Sequence, residues 1–147
     1  IGAVSHKILA ARFARTFSLL FTSGVPITES LSICRDTMDN EVAALKIDAV
    51  REGVENGRSL GASMQGRHVF PDMLTDMVTV GEQAGRLEDV LPQVADIYEE
   101  EVDVTMKSIG AIIEPMLILF VGGLVLIVFA GFFAPYIQLL RTASGTL

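Results

Sequence analysis

The sequence predicts an all-α chain, an antiparallel six-helix bundle continued into one transmembrane helix. Three observations carry this reading. Apolar residues recur with the 3.6-residue helical period over nearly all of the first hundred positions, and no stretch alternates with period two for long enough to suggest a sheet. Beyond them, Met116 to Ala134 is an uncharged run of 19 residues.

Each element follows from its own signals. Ile8, Leu9, Phe13, Phe17, Leu20 and Phe21 form the apolar stripe of a first helix, and Gly24 supplies the left-handed residue that ends it. Pro26 suits the first turn of a second helix, because its missing N–H has no intrahelical partner there. Ile27, Leu31, Cys34 and Met38 share that helix's inner face, and Asp39-Asn40 interrupts it. A third helix runs from about Glu41 to Asn56, burying Val42, Leu45, Ala49 and Gly53 and closing on Gly57. Ser59 caps a short fourth helix that ends at Met64. Pro71 opens a fifth, with Leu74, Met77 and Val78 inward and Gly85 past its end. The sixth begins near Leu87, carries Pro92 in its first turns, and meets no stop signal before the apolar run. Short connections favour antiparallel neighbours.

Composition divides the chain in two. Residues 1–110 hold ten of the eleven Lys/Arg and seventeen of the eighteen Asp/Glu, so the formal charge of −7 resides there. From Ile109 to Leu140, Glu114 is the one acidic or basic residue. The expected domains are an acidic cytoplasmic bundle at 1–108, a transmembrane helix with flanks at 109–140, and a short tail at 141–147. Outnumbered, scattered basic residues argue against a nucleic-acid partner. Cys34 is the single cysteine, which excludes an internal disulfide and leans towards a reducing compartment. The chain starts Ile1-Gly2 without methionine, no signal peptide is visible, and it reads as a piece of something longer.

The uncharged run, at 1.5 Å per residue, is long enough for the ~30 Å hydrocarbon layer of a bilayer. Lys107 and Arg141 flank it almost evenly, so basic residues do not set its orientation. Glu114-Pro115 stands at its entrance. A carboxylate there can still reach interfacial water, and the proline removes a backbone hydrogen bond and favours a bend. Gly122, Gly123, Ala130, Gly131 and Ala134 offer small surfaces, with Gly123 and Gly131 on one face, where another helix can approach closely.

Catalytic signals are few. Gly57-Arg58-Ser59-Leu60-Gly61 fits the G-x-S-x-G nucleophile elbow, whose serine needs a strained turn from strand to helix. Here both sides read as helix, and His68 follows by nine residues with no intervening acid. A C-cap at Gly57 and an N-cap at Ser59 account for the same letters. No Walker loop is present, His6 and His68 are isolated, and no zinc spacing occurs. The Glu99-Glu100-Glu101-Val102-Asp103 run reads as a solvated helix face, and Met73 and Met77 as core filler.

Taken in order, several motifs resemble one family. They are Arg12-Phe13-Ala14-Arg15-Thr16, Ser23 to Leu31 with Gly24 and Pro26, Gly57-Arg58-Ser59-Leu60, Phe70-Pro71, Gly81-Glu82-Gln83-Ala84-Gly85-Arg86-Leu87, Ala95-Asp96, Tyr98 to Val102 and Glu114-Pro115. Their order and spacing are similar to those of the type II secretion system protein F family, the inner-membrane platform proteins of type II secretion and type IV pilus assembly. The resemblance implies the C-terminal part of a longer protein: the second copy of a six-helix cytoplasmic domain plus the last membrane helix, with the tail in the periplasm. It also implies a non-enzymatic scaffold that forms homo-oligomers and contacts a cytoplasmic secretion ATPase, other inner-membrane components, pilin-like subunits and membrane lipid. No cofactor is expected. Some members hold calcium through acidic residues at positions like Asp39 and Asp96, but Pro92 replaces a third carboxylate, so no metal is expected here. The segment Gly81 to Leu87 is read as a structural loop, and Glu114-Pro115 as the coupling between bundle and membrane. The rival readings are a membrane-anchored serine hydrolase using Ser59 and a tail-anchored adaptor or signalling module.

Overall fold

A computed structural model describes residues 2–145, without the side chain of Ala3. Expectations that touch Ile1 and the last two residues of the tail lie outside the described residues. Among those described there are six helices and no strand: α1 (Gly2–Thr22), α2 (Ile27–Asp36), α3 (Glu41–Glu55), α4 (Leu60–Met64), α5 (Asp72–Gln83) and α6 (Leu87–Ser144). The chain divides into two compact units, Ile1–Thr105 and Met106–Leu147.

In the first unit, helices adjacent in sequence pack together from α1 through α5. Phe13 and Phe17 of α1 are buried and stack with ring centroids 5.5 Å apart, and Phe70 meets Phe13 edge-on at 4.9 Å. Leu31, Ile47, Leu60, Leu74, Leu91 and Tyr98 complete the core, one from each remaining helix and a second from α6. Three of the helices close in the same way. After α1, α3 and α5 the backbone N–H of Val25, Arg58 and Arg86 donates to the carbonyl five residues earlier, at 3.1, 3.0 and 2.8 Å. That closure requires a left-handed residue just before the donor. Gly24, Gly57 and Gly85 stand there with φ of +88°, +86° and +66°. Pro26 and Pro71 are extended N-cap residues one position ahead of α2 and α5, rather than residues inside the first turn.

The inner face of α3 includes Gly53, as expected, but otherwise differs from the expected one. Ala43, Ala44, Ile47, Val50 and Gly53 are buried, whereas Val42 and Leu45 are each 58% exposed and Ala49 is half-buried. Apolar residues occupy most of the circumference of this helix, so period alone cannot choose a face. Close approach decides instead: a Cβ on Gly53 would sit 2.6 Å from Ser63 Oγ of α4, so the small-residue side turns inward. The segment Gly81 to Leu87 is also corrected, since Gly81 and Glu82 belong to α5 and Leu87 opens α6, leaving only a three-residue turn, Ala84 to Arg86.

The second unit holds the rest of α6. It is long and apolar enough to cross a membrane, and none of its most apolar window is buried. The helix runs unbroken through Pro115.

Candidate functional site

A five-residue helix cannot satisfy its own first N–H groups, and α4 takes its acceptors from two places. Ser59 Oγ accepts from the Ala62 N–H at 3.2 Å. The Glu82 carboxylate of α5 accepts from the Leu60 N–H at 2.8 Å and from the Gly61 N–H at 3.2 Å, one through each oxygen. A negative group at a helix start also opposes the positive end of the peptide dipoles. This reach depends on glycine: a Cβ on Gly61 would lie 2.2 Å from Thr79 Oγ1 and 2.9 Å from Thr79 Cα. Gly81 performs the same service towards α6, where a Cβ would meet Val90 Cγ2 at 2.9 Å.

Thus Gly57, Ser59, Gly81, Glu82 and Gly85, far apart in sequence, form one fastened corner joining α3, α4, α5 and the start of α6. Gly24 and Pro26 instead make the turn between α1 and α2, and Glu114 and Pro115 lie in the second unit with exposed side chains. The corner fastens the fold, and its chemistry is already spent. Ser59 is a helix cap between two helices, a setting without the strand that a nucleophile elbow needs. Cys34 is fully buried, and burial pushes its thiol up to about 12, so at neutral pH it is protonated and a poor nucleophile.

A second cluster ties α1 to α6. Arg15 Nε donates to Glu99 Oε1 at 2.8 Å, while its Nη2 donates to Glu99 Oε2 at 2.7 Å and to Asp96 Oδ1 at 2.5 Å. The hydrogen bonds to Glu99 and then Asp96 raise the guanidinium pKa, and the Arg15 hydrogen bond holds the Glu99 carboxyl below its usual range. Arg12 Nη1 donates to Asp39 Oδ2 at 2.5 Å. Asp39 and Asp96 are therefore each engaged by a different arginine. Such residues do not fit the six to eight oxygen ligands that calcium takes. The pairing spans 81 and 84 residues in sequence, a separation over which charge patterning carries no signal.

Comparison with known proteins identifies the family of the chain. The family described as Type II secretion system (T2SS), protein F matches residues 13–135. The chain belongs to the type II secretion system protein F family. Among its relatives, a type IV pilus assembly protein PilC of Thermus thermophilus is 40% identical over 144 residues, 97% of this chain and 36% of the relative. A type IV pilus assembly protein PilC of Myxococcus xanthus is 36% identical over 138 residues, 94% of this chain and 33% of the relative. A type II secretion system protein F of Aeromonas hydrophila is 33% identical over 139 residues, 95% of this chain and 36% of the relative. The chain thus spans about a third of the length of these relatives. Ser59, Glu82 and Arg15 lie inside the matched residues, and Arg12 stands one position before them.

Proposed function

We propose that this chain is part of a non-enzymatic inner-membrane platform in a type II secretion or type IV pilus machine. The single observation that carries the reading is the protein F match across 123 of the chain's residues, 13 to 135, which takes in the bundle and the apolar run together. Relatives named as pilus assembly and secretion proteins support it. So does the chemistry of the corner, where the serine and the carboxylate are consumed by capping.

In this reading residues 1–108 are cytoplasmic, 109–140 cross the inner membrane and the 141–147 tail is periplasmic. The platform forms a homo-oligomer, scaffolds other membrane components, and links a cytoplasmic ATPase to the addition of pilin-like subunits. Coupling passes through Glu114 and Pro115, where the proline N is unable to bond the Ala111 carbonyl and the helix gains a point of bending. A chromosomal deletion complemented with the full-length protein tests the role. Secretion or piliation should be lost and restored, and copurification should recover the ATPase. Intact secretion and piliation in the deletion strain would overturn the reading. With the buried Cys34 replaced by Ala, a cysteine placed at Ser144 should react with an impermeant reagent from the periplasmic side while one placed at the exposed Glu52 does not, and labelling of both from one side would overturn the topology.

A further inference from the structure

The bundle leaves an apolar face that its own core covers only in part, Met77 and Val90 packing against the core while their neighbours stay open. On α5, Met73, Met77 and Val80 recur at i, i+4 and i+7, with Met73 40% and Val80 64% exposed and Met77 half-buried. On α6, Val90, Ile97 and Val104 recur every seven residues, so they lie on one side of the helix over about 21 Å. Because Gly81 lets Val90 close against α5, the two helices frame an open cleft of about 240 Å³ between Met77, Val80 and Val90, with Asp76 on its rim. Further along α6 a second cleft, of about 280 Å³, is lined by Ile97, Val104 and Thr105, with Glu100, Glu101 and Lys7 of α1 around it. Glu101 is paired with Lys7 at 3.4 Å, whereas Asp76 and Glu100 have no ion-pair partner among the described residues. An apolar floor with free carboxylates along it calls for a ligand that is apolar on one side and basic beside it.

We propose that this face is the docking groove for a basic amphipathic helix of another protein, one with apolar residues at heptad spacing flanked by Lys or Arg. The charge fits, since the rim carboxylates belong to a chain of formal charge −7. The length fits, since the stripe on α6 matches about fourteen residues of helix. This deepens the platform reading and rests on it in taking the occupant to be a component of the machine.

The test uses the full chain in detergent micelles and a fluorescein-labelled 18-residue peptide of Leu at heptad spacing with Lys beside it, against a peptide of the same composition with the apolar face scrambled. The amphipathic peptide should bind at least about tenfold more tightly, and Val80→Glu should remove that advantage. Asp76→Lys together with Glu100→Lys should weaken binding by about tenfold or more and flatten its salt dependence. All three positions are exposed, so the bundle's melting curve should not move. Equal binding of both peptides, or binding untouched by Val80→Glu, would overturn the proposal. So would the result that the same substitutions alter only association with vesicles of anionic lipid, which would make the face a lipid contact. The outcome is separable from the deletion experiment, because peptide binding is read on purified protein and does not depend on secretion or piliation.

Discussion

The two units of this chain use the same apolar residue types in opposite ways. In Ile1–Thr105 the large apolar residues are mostly sealed against one another, and Phe17, Leu31, Leu74 and Val94 have no exposure at all. In Met106–Leu147, residues such as Leu119 and Phe120 are 75% and 73% exposed. The glycines show the same split. Gly53, Gly61 and Gly81 each have a neighbour within 3.0 Å of where a Cβ would go, whereas Gly110, Gly122, Gly123 and Gly131 would meet nothing within 4 Å. Most bundle glycines are therefore explained by this chain alone, through a close neighbour or a positive φ, and these span glycines are not. The first unit carries its solvent-excluding partner within itself, and the second needs a medium or a neighbour that the chain does not supply.

The sharpest way to break that comparison is Gly61→Val. Its Cβ would fall on the Cα and side chain of Thr79, a backbone neighbour that cannot swing away, and overpacking of that kind costs about 1–3 kcal/mol or more. The close approach that brings Glu82 to the α4 N–H groups would be lost with it. Thermal unfolding of the full chain in micelles, followed by circular dichroism, should shift down by many degrees. An unchanged transition would mean that α4 and α5 are not in contact.

The next effect is smaller and separates the two caps of α4. Glu82→Ala leaves two N–H groups without their charged acceptor and should cost about 1–3 kcal/mol, while Ser59→Ala removes one neutral cap and should cost about 1 kcal/mol. Chemical denaturation gives the order, and the reverse order would show that Glu82 is not the principal cap. A hydrolase reading predicts something different for Ser59→Ala, the loss of an ester-cleaving activity with little change in stability.

How much of this was legible in the sequence depends on the range over which the signal acts. Helix ends are local events, so Gly24, Gly57, Gly85 and Ser59 could be placed from their neighbours alone, because a left-handed turn or a cap constrains residue type at one position. On α3 the sequence pattern places Gly53 inward correctly but not Val42 and Leu45, which are apolar yet exposed, because the close packing of Gly53 on Ser63 sets the face. Small size is a signal of close approach that hydropathy does not register. Glu82 was noticed only within a motif, since nothing in a one-dimensional pattern says that a carboxylate on α5 will cap α4. The Arg15 clamp was invisible as a clamp for the same reason, its partners lying more than eighty residues away. Of the two methionines expected as core filler, Met77 does pack against the core, whereas Met73 is 40% exposed.

The Arg15 clamp gives a pH effect of modest size. The Glu99 carboxyl titrates below its unfolded value because Arg15 hydrogen-bonds the ionised form. Its contribution is therefore present above the unfolded carboxylate range and fades as pH falls through the lowered folded value. Both side chains are open to solvent, so screening leaves the clamp worth little in free energy. Arg15→Met should narrow the stability difference between neutral and acidic pH, and added salt should narrow it in the wild-type chain as well. If Arg15→Met lowers stability equally at neutral pH and at pH 3, packing of the arginine stem is the cause and the ion pair is not.

The smallest expected effect is none at all, and it bears most directly on the difference between the units. Gly123→Ala and Gly131→Ala add a methyl group where no atom of this chain lies within 4 Å, on a helix that alanine favours by roughly 1 kcal/mol over glycine. The bundle's unfolding transition should stay where it is, in contrast to the large shift expected for Gly61→Val. If the two glycines, which share a face, admit a neighbouring helix, the pair of substitutions should instead weaken association between spans, since a methyl group on each holds two backbones apart. Cysteine crosslinking along that face in native membranes reads this directly. Reduced crosslinking with an unmoved bundle transition places the role of these glycines in contact with another helix. Unchanged crosslinking leaves them as ordinary members of a lipid-facing helix, and a shifted bundle transition would break the division of the chain into two units that satisfy their apolar surfaces separately.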